Sequence, residues 1–122
     1  MNLMFQPQFE AMILAGRKPH TVRPVRRRPL KVGQQLSLRV WTGKPYRSKQ
    51  REFAKAKVIR CESFILGLFD NMIINHVWFT RLAQDQFAWA DGFKDADDMR
   101  IWFGKTHSLP FVGTVIYFQI TP

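Results

Sequence analysis

Lys18, Thr21 and Arg23 fall close together in the run Gly16-Arg17-Lys18-Pro19-His20-Thr21-Val22-Arg23. Their types define a chemistry. A lysine that loses proton affinity in a dry pocket beside another cation can take the proton of a threonine hydroxyl and make it a nucleophile. An arginine or a backbone N–H nearby can hold the oxyanion that develops, or a phosphate. The plainer reading of the same residues is two surface cations flanking an ordinary strand threonine. Thr21 and Arg23 share strand parity and Lys18 does not, so Lys18 joins them only if the chain twists at Pro19. His20 has the opposite parity to Thr21, His76 lies in an apolar stretch that suits a core histidine, and His107 closes a helix; none receives a catalytic role.

Two further groups of residues suit a polyanion. Arg26-Arg27-Arg28 lies between Pro24 and Pro29, and Lys44-Pro45-Tyr46-Arg47-Ser48-Lys49-Gln50-Arg51 forms a second basic run. Trp41 and Tyr46 supply aromatic faces on which unstacked bases can rest. The wider distribution of charge agrees. Residues 1–60 hold 15 Lys/Arg against 2 acids, and residues 61–122 hold 4 against 7, so the net charge of +10 resides in the first half. Each phosphate neutralised by such a surface releases condensed counterions, which favours nucleic acid as partner; a solvated basic face is the alternative. Asp95, Asp97 and Asp98 are local and better suited to helix capping than to a metal. No residue set calls for a metal or cofactor.

These groups must be positioned by one domain, since 122 residues bury a single core. The single Cys61 excludes an internal disulfide and points to a reducing compartment. The first residues resemble neither a signal peptide nor a membrane span, so the expectation is a cytoplasmic protein without a membrane partner.

Phe9, Met12 and Ile13 have helical spacing, which predicts a short helix over Gln6–Ala15 stopped by Gly16. A strand follows around His20–Arg23, then the basic loop, then a turn at Lys31–Gln34. Leu36, Leu38 and Val40 alternate with polar neighbours in a half-buried strand. Thr42–Arg51 reads as an exposed loop, and Ala54, Ala56 and Val58 as a second strand, with further strand candidates at Phe64–Leu68 and Met72–Phe79. Thr80 caps a helix carrying Ala83, Phe87 and Ala90 that ends at Gly92. Asp95 caps another, with Met99, Trp102 and Phe103 on its buried side. Val112–Ile120 is the last strand. The fold class is α+β, most simply a small barrel with short helices packed on it.

The pattern Gly16-x-Lys18-x-x-Thr21-x-Arg23 after a short helix, then Val32-Gly33, the strand Gln35–Trp41, Ala90-Asp91-Gly92-Phe93 and the Trp102-Phe103 pair resembles the ASCH domain family. The resemblance spans nearly the whole chain as one domain. It implies a PUA-like β-barrel with a cleft between strands and helices, and a link to RNA binding or to chemistry on nucleic-acid components. One branch of that family consists of small amidohydrolases acting on N4-acetylcytidine. There the threonine is the proposed nucleophile, the lysine its activator and a glutamate the completing acid; the corresponding positions here are Thr21, Lys18 and Asp91, one methylene shorter.

The leading expectation is therefore a nucleic-acid-binding domain that grips single-stranded or unpaired RNA, in preference to DNA. Arg17, Arg23, Arg26, Arg27, Arg28, Lys44, Arg47, Lys49 and Arg51 would meet phosphates, and Trp41 and Tyr46 would meet bases. A hydrolase of a modified nucleoside, or a metal-independent ribonuclease, are the alternatives.

Overall fold

The computed structural model describes residues 1–122 as a mixed α+β fold, a curled seven-stranded sheet with three helices. The strands are β1 (Asn2–Met4), β2 (His20–Pro24), β3 (Gln35–Trp41), β4 (Gln50–Leu66), β5 (Met72–Ile74), β6 (Val77–Trp78) and β7 (Phe111–Thr121). The helices are α1 (Gln8–Leu14), α2 (Arg81–Ala90) and α3 (Ala96–Thr106). No helix is long and apolar enough to cross a membrane.

The central element is β4. Its first half pairs with β3, its last three residues pair with β5, and its other edge pairs antiparallel with β7 from Lys55 to Leu66. The sequence predicts two strands here because the apolar alternation breaks near Ile59; the chain instead keeps one 17-residue strand and absorbs the break as a register shift between Val58 and Arg60. Such a bulge increases local twist, which lets one strand serve two directions of a curled sheet.

The outer edges are β1, parallel to β3, and β2, antiparallel to β7. Three residues at the chain's start carry too little pattern to announce β1. No ladder joins β1 to β2. Arg23 reaches across instead, its Nη2 donating to the Met4 carbonyl at 2.7 Å. The sheet thus has a seam between β1 and β2, bridged by one side chain.

The core is a single cluster of 25 buried apolar residues that includes Leu38, Phe64, Met99, Phe103 and Val115. Both predicted caps are present: Thr80 Oγ1 accepts from Ala83 N at 3.2 Å and Asp95 Oδ1 from Asp98 N at 2.8 Å. Asp98 in turn accepts from Lys94 N, and Asp97 pairs with Arg81, so the acidic cluster organises a helix start. His76 is not in the core. It is exposed, with φ +66° beside Asn75 at φ +52°, and makes the tight turn between β5 and β6.

Candidate functional site

The site forms where α1, β2 and the end of α2 meet at the seam. Pro19 keeps Lys18 out of both neighbouring elements, and Lys18 N is held by the Met12 carbonyl at the end of α1. The twist that parity demands is made there, because Lys18, Thr21 and Arg23 all line one cavity of about 220 Å³. Close approach of β2 depends on Gly113, where a Cβ would lie 2.4 Å from the Arg23 carbonyl oxygen.

Asp91 comes from the other side. It is the residue at the C-terminal end of α2, and Gly92 follows in a positive-φ conformation, +102°, that turns the chain sharply away. A side chain at Gly92 would also strike Phe9 at 2.6 Å. Lys18 Nζ donates to the Asp91 carbonyl at 2.5 Å and to Asp91 Oδ1 at 2.8 Å. One ammonium therefore satisfies a free helix-end carbonyl and a carboxylate, and its charge suits the negative end of the helix dipole. The shorter acid reaches the lysine. Lys18 and Asp91 are both fully buried, at 3% and 2% exposure. Burial holds the Lys18 pKa below the ordinary 10.5; Asp91 opposes that fall and Arg23 adds to it.

His20 completes this cluster although sequence parity sets it apart. Its Nδ1–H donates to Asp91 Oδ1 at 3.0 Å, and its ring stacks on Phe87 at 4.5 Å between centroids. It does not line the cavity, and Asp91 Oδ1 joins it to Lys18. No local signal could reveal a contact 71 residues apart.

Thr21 Oγ1 makes no hydrogen bond with Lys18. It accepts from Arg23 Nε at 3.1 Å, which corrects the simplest form of the expected lysine–threonine pair. Arg23 stacks on Phe5 at 4.7 Å. Its pKa is lowered to about 10 by burial first, partly offset by Asp91 and lowered further by Arg26. Most of the remaining cavity wall is aromatic, from Phe5, Phe9, Phe93, Trp102, Phe103 and His107. They come from α1, α3 and the connecting residues Phe5, Phe93 and His107, so the sequence shows Phe9 and the Trp102-Phe103 pair as separate helix faces and not as one wall. The cavity joins buried hydrogen-bond donors to ring faces, the composition of a pocket for a flat polar group.

Arg23 and Pro24 also line a second, open hollow of about 730 Å³, whose other walls are Met1, Val25, Arg26, Arg27 and Arg28. The expected basic loop therefore adjoins the cavity. The other predicted cations divide. Arg17 donates to the Trp89 and Phe93 carbonyls and lies over the Trp89 ring at 4.3 Å, so it secures the end of α2. Arg51 forms a two-pronged ion pair with Glu10 of α1. Neither is free for phosphate in this arrangement. Lys44, Arg47 and Lys49 are exposed in the loop before β4 but line neither the cavity nor the hollow. Trp41 is half-buried under Tyr46, centroids 5.1 Å apart, while Tyr46 is 88% exposed.

No protein-family model matches the chain, and neither the curated proteins nor the solved structures contain a match to it.

Proposed function

We propose that this chain is a nucleic-acid-binding domain of the ASCH, PUA-like kind, which accepts one unstacked base of single-stranded RNA in the cavity beside Lys18, Thr21 and Arg23. The flanking phosphates lie on Arg26, Arg27 and Arg28. The observation that carries this reading is adjacency: the largely aromatic, donor-lined cavity shares Arg23 and Pro24 with a hollow lined by four arginines and no carboxylate. A base stacked on such walls gains about 1–3 kcal/mol, and the arginines add a counterion-release term.

Titration of short single-stranded RNA across a salt series tests the proposal, with matched DNA as comparison. Affinity should fall linearly on logarithmic axes. Replacing Arg26, Arg27 and Arg28 together by glutamine should reduce the slope by about 2, at roughly 0.7 per phosphate contact on a single strand. Absent binding, or binding indifferent to salt, sinks the idea.

One observation favours a second reading, hydrolysis of an N4-acetylcytidine-type amide. Lys18 and Asp91 lie together beside Thr21, the set that the family resemblance implies. Because Thr21 Oγ1 accepts from Arg23, its own proton is free to leave as the oxygen attacks the amide carbonyl. The acetyl group would pass to Thr21 Oγ1 as an ester, the threonine proton would pass by way of a neutral Lys18 to the departing cytidine amine, and water would then hydrolyse the ester to acetate and restore the threonine. Incubation with N4-acetylcytidine should then yield cytidine, and Thr21→Ala should abolish the yield; full activity in that variant dismisses the mechanism.

A further inference from the structure

The arginine hollow has more charge than an internal phosphodiester can match. Arg23, just before Pro24, and Arg26, Arg27 and Arg28, between Pro24 and Pro29, line it, and no acid faces it. Every side-chain carboxylate is engaged elsewhere: Glu10, Glu52 and Glu62 in sheet and helix ion pairs, Asp70, Asp85 and Asp97 on Arg81, Asp91 on Lys18 and His20, and Asp95 and Asp98 in capping.

The donors are also unspent. Arg23 uses Nε and Nη2 internally, so both N–H groups of Nη1 lack a partner. That nitrogen is not sealed in protein, since the one fully buried side-chain polar atom without a partner is Gln84 Oε1. Arg26 gives a single N–H to the Met1 sulfur at 3.2 Å, a weak acceptor, and Arg27 and Arg28 make no hydrogen bond or ion pair. The like charge of Arg26 contributes to the lowered pKa of Arg23, so an anion placed between them relieves a repulsion already present.

A diester brings one negative charge, and a phosphomonoester brings close to two with three acceptor oxygens. From this geometry we infer that the arginine hollow is a phosphomonoester site, which seats the terminal phosphate of the nucleotide whose base enters the neighbouring cavity. This rests on the nucleic-acid reading of that cavity and sharpens it. The ligand is a nucleotide with a free phosphate end, either a strand terminus or a mononucleotide. Bidentate guanidinium–phosphate pairing gives the geometric selectivity that point charges lack.

Calorimetric titration of unlabelled single-stranded RNA of one sequence, bearing a 5′-phosphate, a 3′-phosphate or hydroxyls at both ends, tests the site. A hydroxyl-ended strand one nucleotide longer controls for added charge, and the corresponding nucleoside monophosphates are titrated separately. One phosphorylated end should bind at least about tenfold more tightly than the hydroxyl form, as charge-assisted paired hydrogen bonds allow. The preference should disappear in Arg26→Gln, while hydroxyl-ended RNA loses only what one phosphate contact is worth, about 0.7 in salt slope. A mononucleotide that binds as tightly as the phosphorylated strand upholds the phosphomonoester site and assigns it to free nucleotides, against the strand reading. Equal binding of all strands, or a gain no larger than one added nucleotide gives, overturns the inference and leaves RNA binding standing. Failure of every RNA and nucleotide to bind overturns both.

Discussion

Asp91→Ala is expected to cost the fold about 3–5 kcal/mol, because it leaves the Lys18 ammonium buried without its counter-charge. At roughly 4 °C per kcal/mol for a chain of this size, the midpoint of thermal unfolding should fall by more than about 10 °C. Lys18 and Asp91 are only 3% and 2% exposed, so little solvent screening reduces the effect. Asp91→Asn keeps an acceptor for Lys18 and should cost less. Adding Lys18→Met to Asp91→Asn should recover much of the loss, since removing both charges removes the burial problem as well. The interaction energy of that double-mutant cycle measures the pair.

The pH dependence has a definite sign. Burial keeps the folded-state pKa of Lys18 below 10.5, so in the window between the folded value and 10.5 the unfolded chain binds more protons. Stability from this residue is therefore fully present above 10.5 and is lost as pH falls through the folded value. In Asp91→Asn the ammonium loses its main support, the folded pKa drops further, and the window extends to lower pH. Unfolding curves of both proteins, with an NMR titration of the Lys18 side chain, check this; a Lys18 that titrates at 10.5 in each protein refutes it.

Much of the scaffold was legible because its signals are local. Gly16 after an i, i+3, i+4 apolar set, the Thr80 and Asp95 caps, and the alternation in β3 and β7 each act within a few residues, and each element lies where they place it. The long strand β4 was not legible as one strand, because a bulge reverses the parity of its side chains at mid-course and mimics a boundary. His76 misled for a related reason: an apolar stretch of strand type can be a hairpin, and its polar tip is then a turn.

The site divides along the same line. Lys18, Thr21, Arg23 and Asp91 were legible as a set and do share one cavity. Their bonding was not, because the partner of each is fixed by where the end of α2 docks on β2. Strand parity set His20 apart from the cavity, which it does not line, but could not show that its ring bonds the same Asp91 oxygen as Lys18. Charge counting found the basic loops but could not show that Arg17 and Arg51 are spent on carbonyls and Glu10.

Arg23→Met is expected to open the seam, and Arg23→Lys is expected not to rescue it. The guanidinium performs three tasks at once: Nη2 donates to the Met4 carbonyl, Nε donates to Thr21 Oγ1, and the plane lies over the Phe5 ring. A lysine places one tetrahedral ammonium where a planar fork is needed and cannot reach both acceptors while stacking. Methionine fills much of the space and removes a buried cation, which limits the global loss to about 2 kcal/mol, near that of one hydrogen bond from a charged donor. The local loss should be larger. No ladder binds β1 to β2, so amide exchange on that side of the sheet should accelerate in both variants, at Leu3 and Met4 more than in β3 or β4. Removing Arg23 also removes one of the charges that depress Lys18, so the Lys18 pKa should rise in Arg23→Met. A pKa that stays put while β1 frays would mean that the arginine acts as a clasp alone. A rise without fraying would mean that the seam is closed by the packing of Phe5 and Leu3, and that Arg23 is held in the cavity wall for its charge.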